Sequence, residues 1–367
     1  MIINGAGIAG LTLANALHRQ NIPFVVLEQA KELQAIGAGI ALQNNGLAIL
    51  DSLGLGGQPA ARPLRQLGGG PANSFRVVDM ASVGLRCQVV HRCDLQQRLL
   101  ANLPKHTLNL NTAIAHHQVN ADNISVTLTD GRILTGDYLI NCAGIHSTLH
   151  APAILRDSGQ WCWRTVVSLT RPVTCFSEVW FGQQRLGIAP IDAHRAYLFH
   201  VIRLNPGQTP DDFPTSDREQ WIGEQHTVLT DITALTLPNK AWLSHPIMDR
   251  QIHWGQGRLV AIGDAAHAMT PNLGQGAVLA MEDAMELANL IAVKHSDPAQ
   301  GLARLRHKRV ARMHWQSWFF GKVAHAHNPI AQALKSLAFR LLPMQKNLQM
   351  QVAWMNAFET RLKEIQP

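Results

Sequence analysis

The chain has 367 residues, 46% hydrophobic and 16% charged, with 32 Lys+Arg against 25 Asp+Glu, a net charge of +7 and a pI near 9.4. That length accommodates two domains or one large elaborated one, and the composition is globular, not disordered or disulfide-stapled. The basic residues are scattered apart from one short cluster, Arg304 to Arg312, and no groove-reading motif accompanies them, which argues against nucleic acid and for a general attraction of anionic small molecules.

The five cysteines, Cys87, Cys93, Cys142, Cys162 and Cys175, contain no C-x-x-C pair and read as reduced, mostly buried thiols of a cytoplasmic protein. No basic leader precedes the first apolar stretch and no run is long and apolar enough to span a bilayer, so neither a signal peptide nor a membrane span is expected.

Met1 to Asn4 reads as a short strand, followed by GAGIAG, a helix from Leu11 to Arg19, and a second strand from Pro23 to Glu28. This β-α-β unit carries G-x-G-x-x-G at Gly5, Gly7 and Gly10, with Ile8 and Ala9 between the last two glycines. Gly5 permits the tight turn, Gly7 lets backbone approach a pyrophosphate, and Gly10 lets the helix pack on the strand. Glu28 closes the second strand 18 residues after Gly10, where an acid binds ribose hydroxyls. GAGIALQNNG at Gly37 to Gly46 leads into a helix from Leu47 to Leu53, and Gly54 to Ala72 reads as loop. A strand near Val89 runs into HRCDLQQRLL, where Asp94 is a candidate helix cap. Arg92 before it has two open readings, a contact to nucleotide phosphates or a local surface pairing.

Further strands are expected from Leu108 to His116, Ile124 to Thr129 and Ile133 to Leu134, the last two joined by an Asp130-Gly131 hairpin. Tyr138 to Cys142 reads as a return to the nucleotide sheet. From Trp161 to Leu204 the texture changes to alternating strands without helices, an antiparallel sheet that would wall a ligand, with Arg164, Arg185 and Tyr197 on it. A helix from Ser216 to Gln225 comes next.

Gly257 to Gly276, GRLVAIGDAAHAMTPNLGQG, reads as a buried strand from Leu259 to Ile262, an acidic turn at Gly263 and Asp264, and a loop of Pro271, Leu273, Gly274, Gln275 and Gly276 opening a helix. Asp264 sits where a strand's carboxyl end meets a crevice, as an acceptor for polyol or ribose hydroxyls, and the backbone N–H groups of the loop can hold partial negative charge. Helices are expected from Gly276 to Val293, from Pro298 to Ala324, and over Pro329 to Lys363. The last segment is basic and rich in Leu, Met and Trp, and is read as packing on the nucleotide domain or lying on a membrane surface. His325 and His327 lack a third ligand at metal spacing, so no metal is expected.

GAGIAG with Glu28, joined to GDAAHAMTPNLGQG more than 200 residues later, resembles the FAD-dependent aromatic hydroxylases, the class A flavoprotein monooxygenases that include urate, salicylate and 6-hydroxynicotinate hydroxylases. AMEDA at Ala280 to Ala284 and RLLP at Arg340 to Pro343 extend the match. The resemblance implies an α/β fold: a Rossmann-like, glutathione-reductase-type FAD-binding domain with an inserted antiparallel β-sheet substrate domain and C-terminal helices. The expected organisation is FAD binding over 1–160, with part of the substrate-side sheet near 60–90, a mainly β substrate unit over 161–250, a return to the FAD unit over 251–295, and C-terminal helices over 296–367.

The same resemblance assigns Gly5, Gly7, Gly10 and Glu28 to the ADP half of FAD, Arg92 to a contact with FAD, Asp264 to the ribitol chain, Pro271 and Leu273 to Gly276 to the isoalloxazine ring, and Arg185 to the substrate. It implies that reduced flavin adds dioxygen at its C4a carbon as a hydroperoxide and passes one oxygen to an aromatic carbon, with NADH or NADPH as electron source. Tyr197, His200 and His267 are candidate bases. The family segment D-G-x-x-S-x-x-R reads here Ala143-Gly144-Ile145-His146-Ser147-Thr148-Leu149-His150. Losing its acid and arginine makes a separate flavin reductase an alternative source of electrons. Two further readings stay open: a flavin-dependent halogenase, to which Trp161-Cys162-Trp163 bears a faint likeness without the Ile-Pro ending, and a non-catalytic flavin-binding protein.

Overall fold

The computed structural model describes residues 1–33, 39–56, 81–150, 152–173, 176–225, 230–236, 242–326, 328, 330, 331, 333, 334, 337 and 344–365. Most of the Gly54 to Ala72 stretch, much of the expected sheet near 60–90, Cys175, His327 and Arg340 to Pro343 lie outside them.

Six strands form the nucleotide sheet in the order Gly255–Gln256, Leu259–Ala261, Leu139–Asn141, Ile2–Asn4, Val25–Leu27, Leu108–Asn109. All pairs are parallel except the first. The central strands are short apolar runs that belong between two covering layers. Helix Ile8–Arg19 buries Leu11, Leu13, Ala14 and Leu17, and helix Gly276–Ala292 buries Leu279, Met281, Leu287 and their neighbours in the same core. Each fully buried Leu or Ile there contributes on the order of 2 kcal/mol.

The register aligns the strand ends. Asn4 pairs with Leu27 on one side and Asn141 on the other, and Asn141 pairs with Ala261. Four strands therefore end in one row, and each runs into a turn singled out in the sequence: Gly5, Glu28, Ala143-Gly144 and Gly263-Asp264.

A second, antiparallel sheet orders Ser177–Phe181, Gln184–Pro190, Arg195–Arg203, Leu155–Leu169 and Leu235–Thr236, with Leu243–Arg250 also paired to the long strand. Helix Thr215–Glu224 and the turns around it close one face over a core of Trp163, Leu186, Ile188, Leu198 and Ile222. The long strand spans Leu155–Leu169 with a register irregularity between Asp157 and Gln160, so the expected division at 160 falls within it. Small sheets pair Gly39–Gln43 with Cys87–His91, and Ile114–Val119, Ile124–Leu128 and Ile133–Gly136 with one another.

Several element boundaries differ from the sequence reading. The first helix begins at Ile8, immediately after the second glycine. The stretch from Leu108 to His116 splits between two sheets, because Asn111 takes a left-handed conformation (φ 51°) and turns the chain. His91 is the N-cap of helix Arg92–Ala101, which puts Asp94 in its first turn instead of at the cap. Helix Pro298–Ala324 has the bounds expected. Helix Met344–Ile365 packs on the nucleotide unit, with Asn356 bonded to Asn44 and Arg361 to Glu286.

Candidate functional site

The glycine-rich turn is built by contact. Gly5 adopts φ +112°, and a Cβ there would lie 2.7 Å from the Cys142 carbonyl oxygen; a Cβ on Gly10 would lie 2.0 Å from the Gly5 oxygen. Gly7 differs: it caps helix Ile8–Arg19, and among the described residues nothing beyond its own chain neighbours lies within 4 Å of where its Cβ would be. That opening lies at a helix N-terminus, where backbone N–H groups favour an anion such as a pyrophosphate. Glu28 accepts from the backbone N–H of Ala6 and of Ala30, each at 2.9 Å, which fixes its carboxylate beside the turn. Ile8 and Ala9 are buried under the helix start.

The second glycine turn comes to the first. Gly263 has φ +59°, and a Cβ there would meet Ala280 at 2.8 Å and Ala9 at 3.1 Å, so the strand end after Ala261 lies against the start of the first helix. Asp264 is next in the chain, its side chain open to solvent although protein surrounds it, which describes a residue on a crevice floor. The resulting desolvation raises its pKa, with His267 and Arg92 opposing. Arg92 is exposed and close enough for that opposing field. Pro271–Leu273 forms a single turn, Gly274 takes a left-handed conformation (φ +64°), and Gly276 begins the long helix. Gln275 and Gln43 are hydrogen-bonded, and a Cβ on Gly274 would lie 3.6 Å from Ala41, so strand Gly39–Gln43 flanks the loop.

Beneath this loop is a buried ionic cluster. His267 Nε2 lies 2.5 Å from Asp283; Arg306 bonds Asp283 at 2.8 Å and Glu282 at 2.6 Å; Arg309 bonds Glu282 at 2.7 Å. Burial alone would raise both carboxyls, but His267 and Arg306 bring Asp283, and Arg306 and Arg309 bring Glu282, below the ordinary value. Asp283 also accepts from the Gly263 N–H at 3.2 Å, tying the cluster to the turn.

Strand register sorts the substrate-side candidates. Arg185 pairs with Val201 and Ala189 with Tyr197, so Arg185 and Tyr197 share a face with Cys162, Arg164 and Phe199. This face meets the flavin-loop side: a Cβ on Gly39 would lie 2.5 Å from the Tyr197 ring. His200 points the other way. It stacks on Trp221 at 4.6 Å, bonds Gln184 at 2.8 Å, and burial lowers its pKa to about 3. His267 is likewise withdrawn, buried against Trp254 and Asp283. Burial raises the Tyr197 phenol above its ordinary value, which keeps it protonated. The arrangement thus separates His200 and His267 from Arg185 and Tyr197.

Arg185 is not a free cation. It is buried, bonds Glu178 at 2.6 Å and Asn272 at 2.5 Å, and lies near the Trp180 and Phe320 rings. Its contact with Asn272 joins the substrate sheet to the flavin loop.

Two further candidates escaped the sequence reading. His245 is the register partner of Cys162 and so shares the Arg164 face. Its Nδ1 meets the Pro246 carbonyl at 3.0 Å, its buried Nε2 has no hydrogen-bond partner among the described residues, and burial lowers its pKa. The alternation along LSHPIMDR was the available signal. Arg250, on the same strand, bonds the carbonyls of Ile145 and Ser147, both at 2.8 Å. It clamps the turn whose own arginine position is His150, and His150 instead bonds Asn141 at 3.1 Å with its pKa lowered by burial to about 4.

Residues 1–315 match the family described as FAD binding domain. The chain belongs to the FAD-dependent aromatic monooxygenases. Among the monooxygenase's relatives are 2-heptyl-3-hydroxy-4(1H)-quinolone synthase of Pseudomonas aeruginosa, 30% identical over 94% of both chains, and the aurachin C monooxygenase/isomerase of Stigmatella aurantiaca, 32% identical over 93% of this chain and 94% of the other. The fold is shared with a variant of HpxO of Klebsiella pneumoniae complexed with FAD, at a TM-score of 0.83 and 23% identity, covering 96% of this chain and 97% of that one. FAD is accordingly the monooxygenase's cofactor, and the open cradle at Gly7 and the crevice at Asp264 fit it. The four described cysteines that are free, Cys87, Cys93, Cys142 and Cys162, are all buried. No described helix is long and apolar enough to cross a membrane.

Proposed function

We propose that this monooxygenase hydroxylates a neutral, lipophilic heteroaromatic ring of the quinolone type, with NADH or NADPH as ultimate electron source. The observation that carries the substrate class is the buried Arg185–Glu178 pair, which leaves the arginine facing the site without net charge to offer a carboxylate. Relatives named for a heptylated quinolone and for aurachin support the same class.

Gly5, Gly7, Gly10 and Glu28 would hold the ADP half of FAD, Arg92 its phosphates and Asp264 the ribitol, with Pro271 to Gly276 beside the ring. Bound flavin supplies the activation of dioxygen and transfer of one oxygen atom to the substrate. The chain does the rest. Backbone N–H groups at Gly274 to Gly276, at a helix N-terminus, favour negative charge beside them. Phe199, Tyr197 and the Trp180–Phe320 pair exclude water. His245, neutral near pH 7 and with Nε2 unpartnered, would accept the N–H or O–H proton of the ring and so enrich it in electrons.

Arg250 supports the turn from Ala143 to His150, so direct reduction by a nicotinamide is the favoured route and a separate reductase the alternative. The cytoplasm is the proposed compartment, on the buried reduced thiols. Anaerobic reduction of the FAD-loaded protein by NADH and NADPH, with and without 2-alkyl-4-quinolones, tests the reading. Substrate-accelerated flavin bleaching supports it; no response to quinolones alongside a strong response to anionic benzoates would reject the substrate class.

A further inference from the structure

Between Asp297 and Glu359 the chain has no acidic residue but nine Lys or Arg, so the rest of the protein is slightly acidic although the whole carries +7. Arg306 and Arg309 are spent on the buried cluster. The others on helix Pro298–Ala324 are not. At 3.6 residues per turn, Arg304, Lys308, Arg312, Trp315, Phe319 and Lys322 fall within an arc of about 100°. All six are exposed, whereas Arg306, Val310, Met313, Ser317 and Gly321 on the other side are buried.

Trp315 and Phe319 are 62% and 53% exposed and stack on each other, ring centroids 5.3 Å apart and 5° from parallel. Solvent gives two large rings no reason to lie outward together. Beyond the helix, Ile330, Leu334 and Leu337, at i, i+4 and i+7, are also exposed. Arg304, Lys308 and Arg312 make no ion pair among the described residues.

We propose that this face docks the protein on an anionic phospholipid surface. Aromatic rings at the headgroup level flanked by cations are the chemistry an anionic bilayer recognises, and each basic residue near such a surface strengthens binding about fivefold. A second copy of the chain is disfavoured as occupant, because a twofold contact would set two all-basic faces against each other. The helix's adjoining side carries Phe320, beside Trp180 and Arg185, so docking brings the substrate-binding side of the protein close to the lipid. The surface rests on charge and exposure alone and stands apart from the substrate reading; its test needs no turnover.

The test is co-sedimentation of the FAD-loaded full chain with phosphatidylcholine vesicles, with and without phosphatidylglycerol. Binding that requires phosphatidylglycerol, weakens with salt, and falls tenfold or more in Trp315→Ser/Phe319→Ser and in Arg304→Glu/Lys308→Glu/Arg312→Glu supports the proposal, provided that both variants retain FAD. Should either fail to fold, acetylation of Lys308 and Lys322 in the unaltered protein, read by mass spectrometry, replaces it: protection by anionic vesicles supports docking and equal labelling overturns it. Failure to bind anionic vesicles, binding unchanged in both variants, or self-association abolished by Trp315→Ser/Phe319→Ser would overturn it.

Discussion

Arg185 and Glu178 stand 2.6 Å apart, both buried, on the face of the antiparallel sheet that also carries Tyr197. In sequence that arginine is a candidate contact for an anionic or phenolic substrate, or a solvent-facing strand position. Its charge is met by Glu178, and its Nη1 donates to Asn272, which ties the sheet to the turn Pro271–Leu273.

Glu178→Gln releases that charge. The variant is expected to lose about 3 kcal/mol of stability, the cost of breaking a buried pair, and to shift preference toward aromatic carboxylates, with kcat/KM for neutral quinolones down about tenfold. Flavin difference spectra on adding benzoates and quinolones check the binding half of that expectation.

Gly7→Ala fills the open cradle without a clash in the protein itself. Its melting temperature without FAD should match the parent, while FAD affinity falls about tenfold or more because the methyl stands where the pyrophosphate approaches. Titration by flavin fluorescence quenching measures it.

Arg306→Met leaves Glu282 and Asp283 short of a cation in the core. The expected cost is about 3–5 kcal/mol, seen as a lower urea midpoint, together with weakened FAD retention, because Asp283 also holds the Gly263 N–H.

Much of this was legible in the sequence. Gly5, Gly7, Gly10 and Glu28 lie in one local β-α-β unit, and the Asp264 turn has the same grammar of apolar strand and glycine. The choice among Arg185, Tyr197 and His200 was not legible, because it depends on which strand face meets the flavin, and a one-residue change of register reverses that answer. Alternation places His200 opposite Tyr197, but it takes the contacts of Gly39 with the Tyr197 ring and of Asn272 with Arg185 to say which side meets the loop. Arg250 and His245 were hidden for another reason: they act across about 100 and 80 residues of chain, on the Ile145 carbonyl and beside Cys162, and no local pattern records such contacts.

Acid should destabilise the protein in a defined window. His150 and His200 have folded pKa values of about 4 and about 3 against an ordinary 6.5, so the unfolded chain binds more protons below 6.5. Stability is therefore lost as pH falls from 6.5 toward 4, by up to about 1.4 kcal/mol per pH unit for each histidine. Urea unfolding across that range, with His200→Asn removing one histidine's share of the slope, is the check.

His245→Gln keeps a hydrogen-bonding side chain but cannot take a proton. Substrate should still bind, kcat should fall about a hundredfold, and the acidic limb of the kcat profile assigned to His245 should vanish. A purely structural role would leave the limb in place.

The most direct test is mass analysis of product formed by the FAD-loaded enzyme from a 2-alkyl-4-quinolone under isotopically labelled dioxygen, with NADH or NADPH supplied. One labelled oxygen atom on the ring, with nicotinamide oxidation dependent on the quinolone, is the expected result. Product whose added oxygen comes from water, or a flavin that is reduced and reoxidised with no oxygen reaching any aromatic substrate, would contradict it.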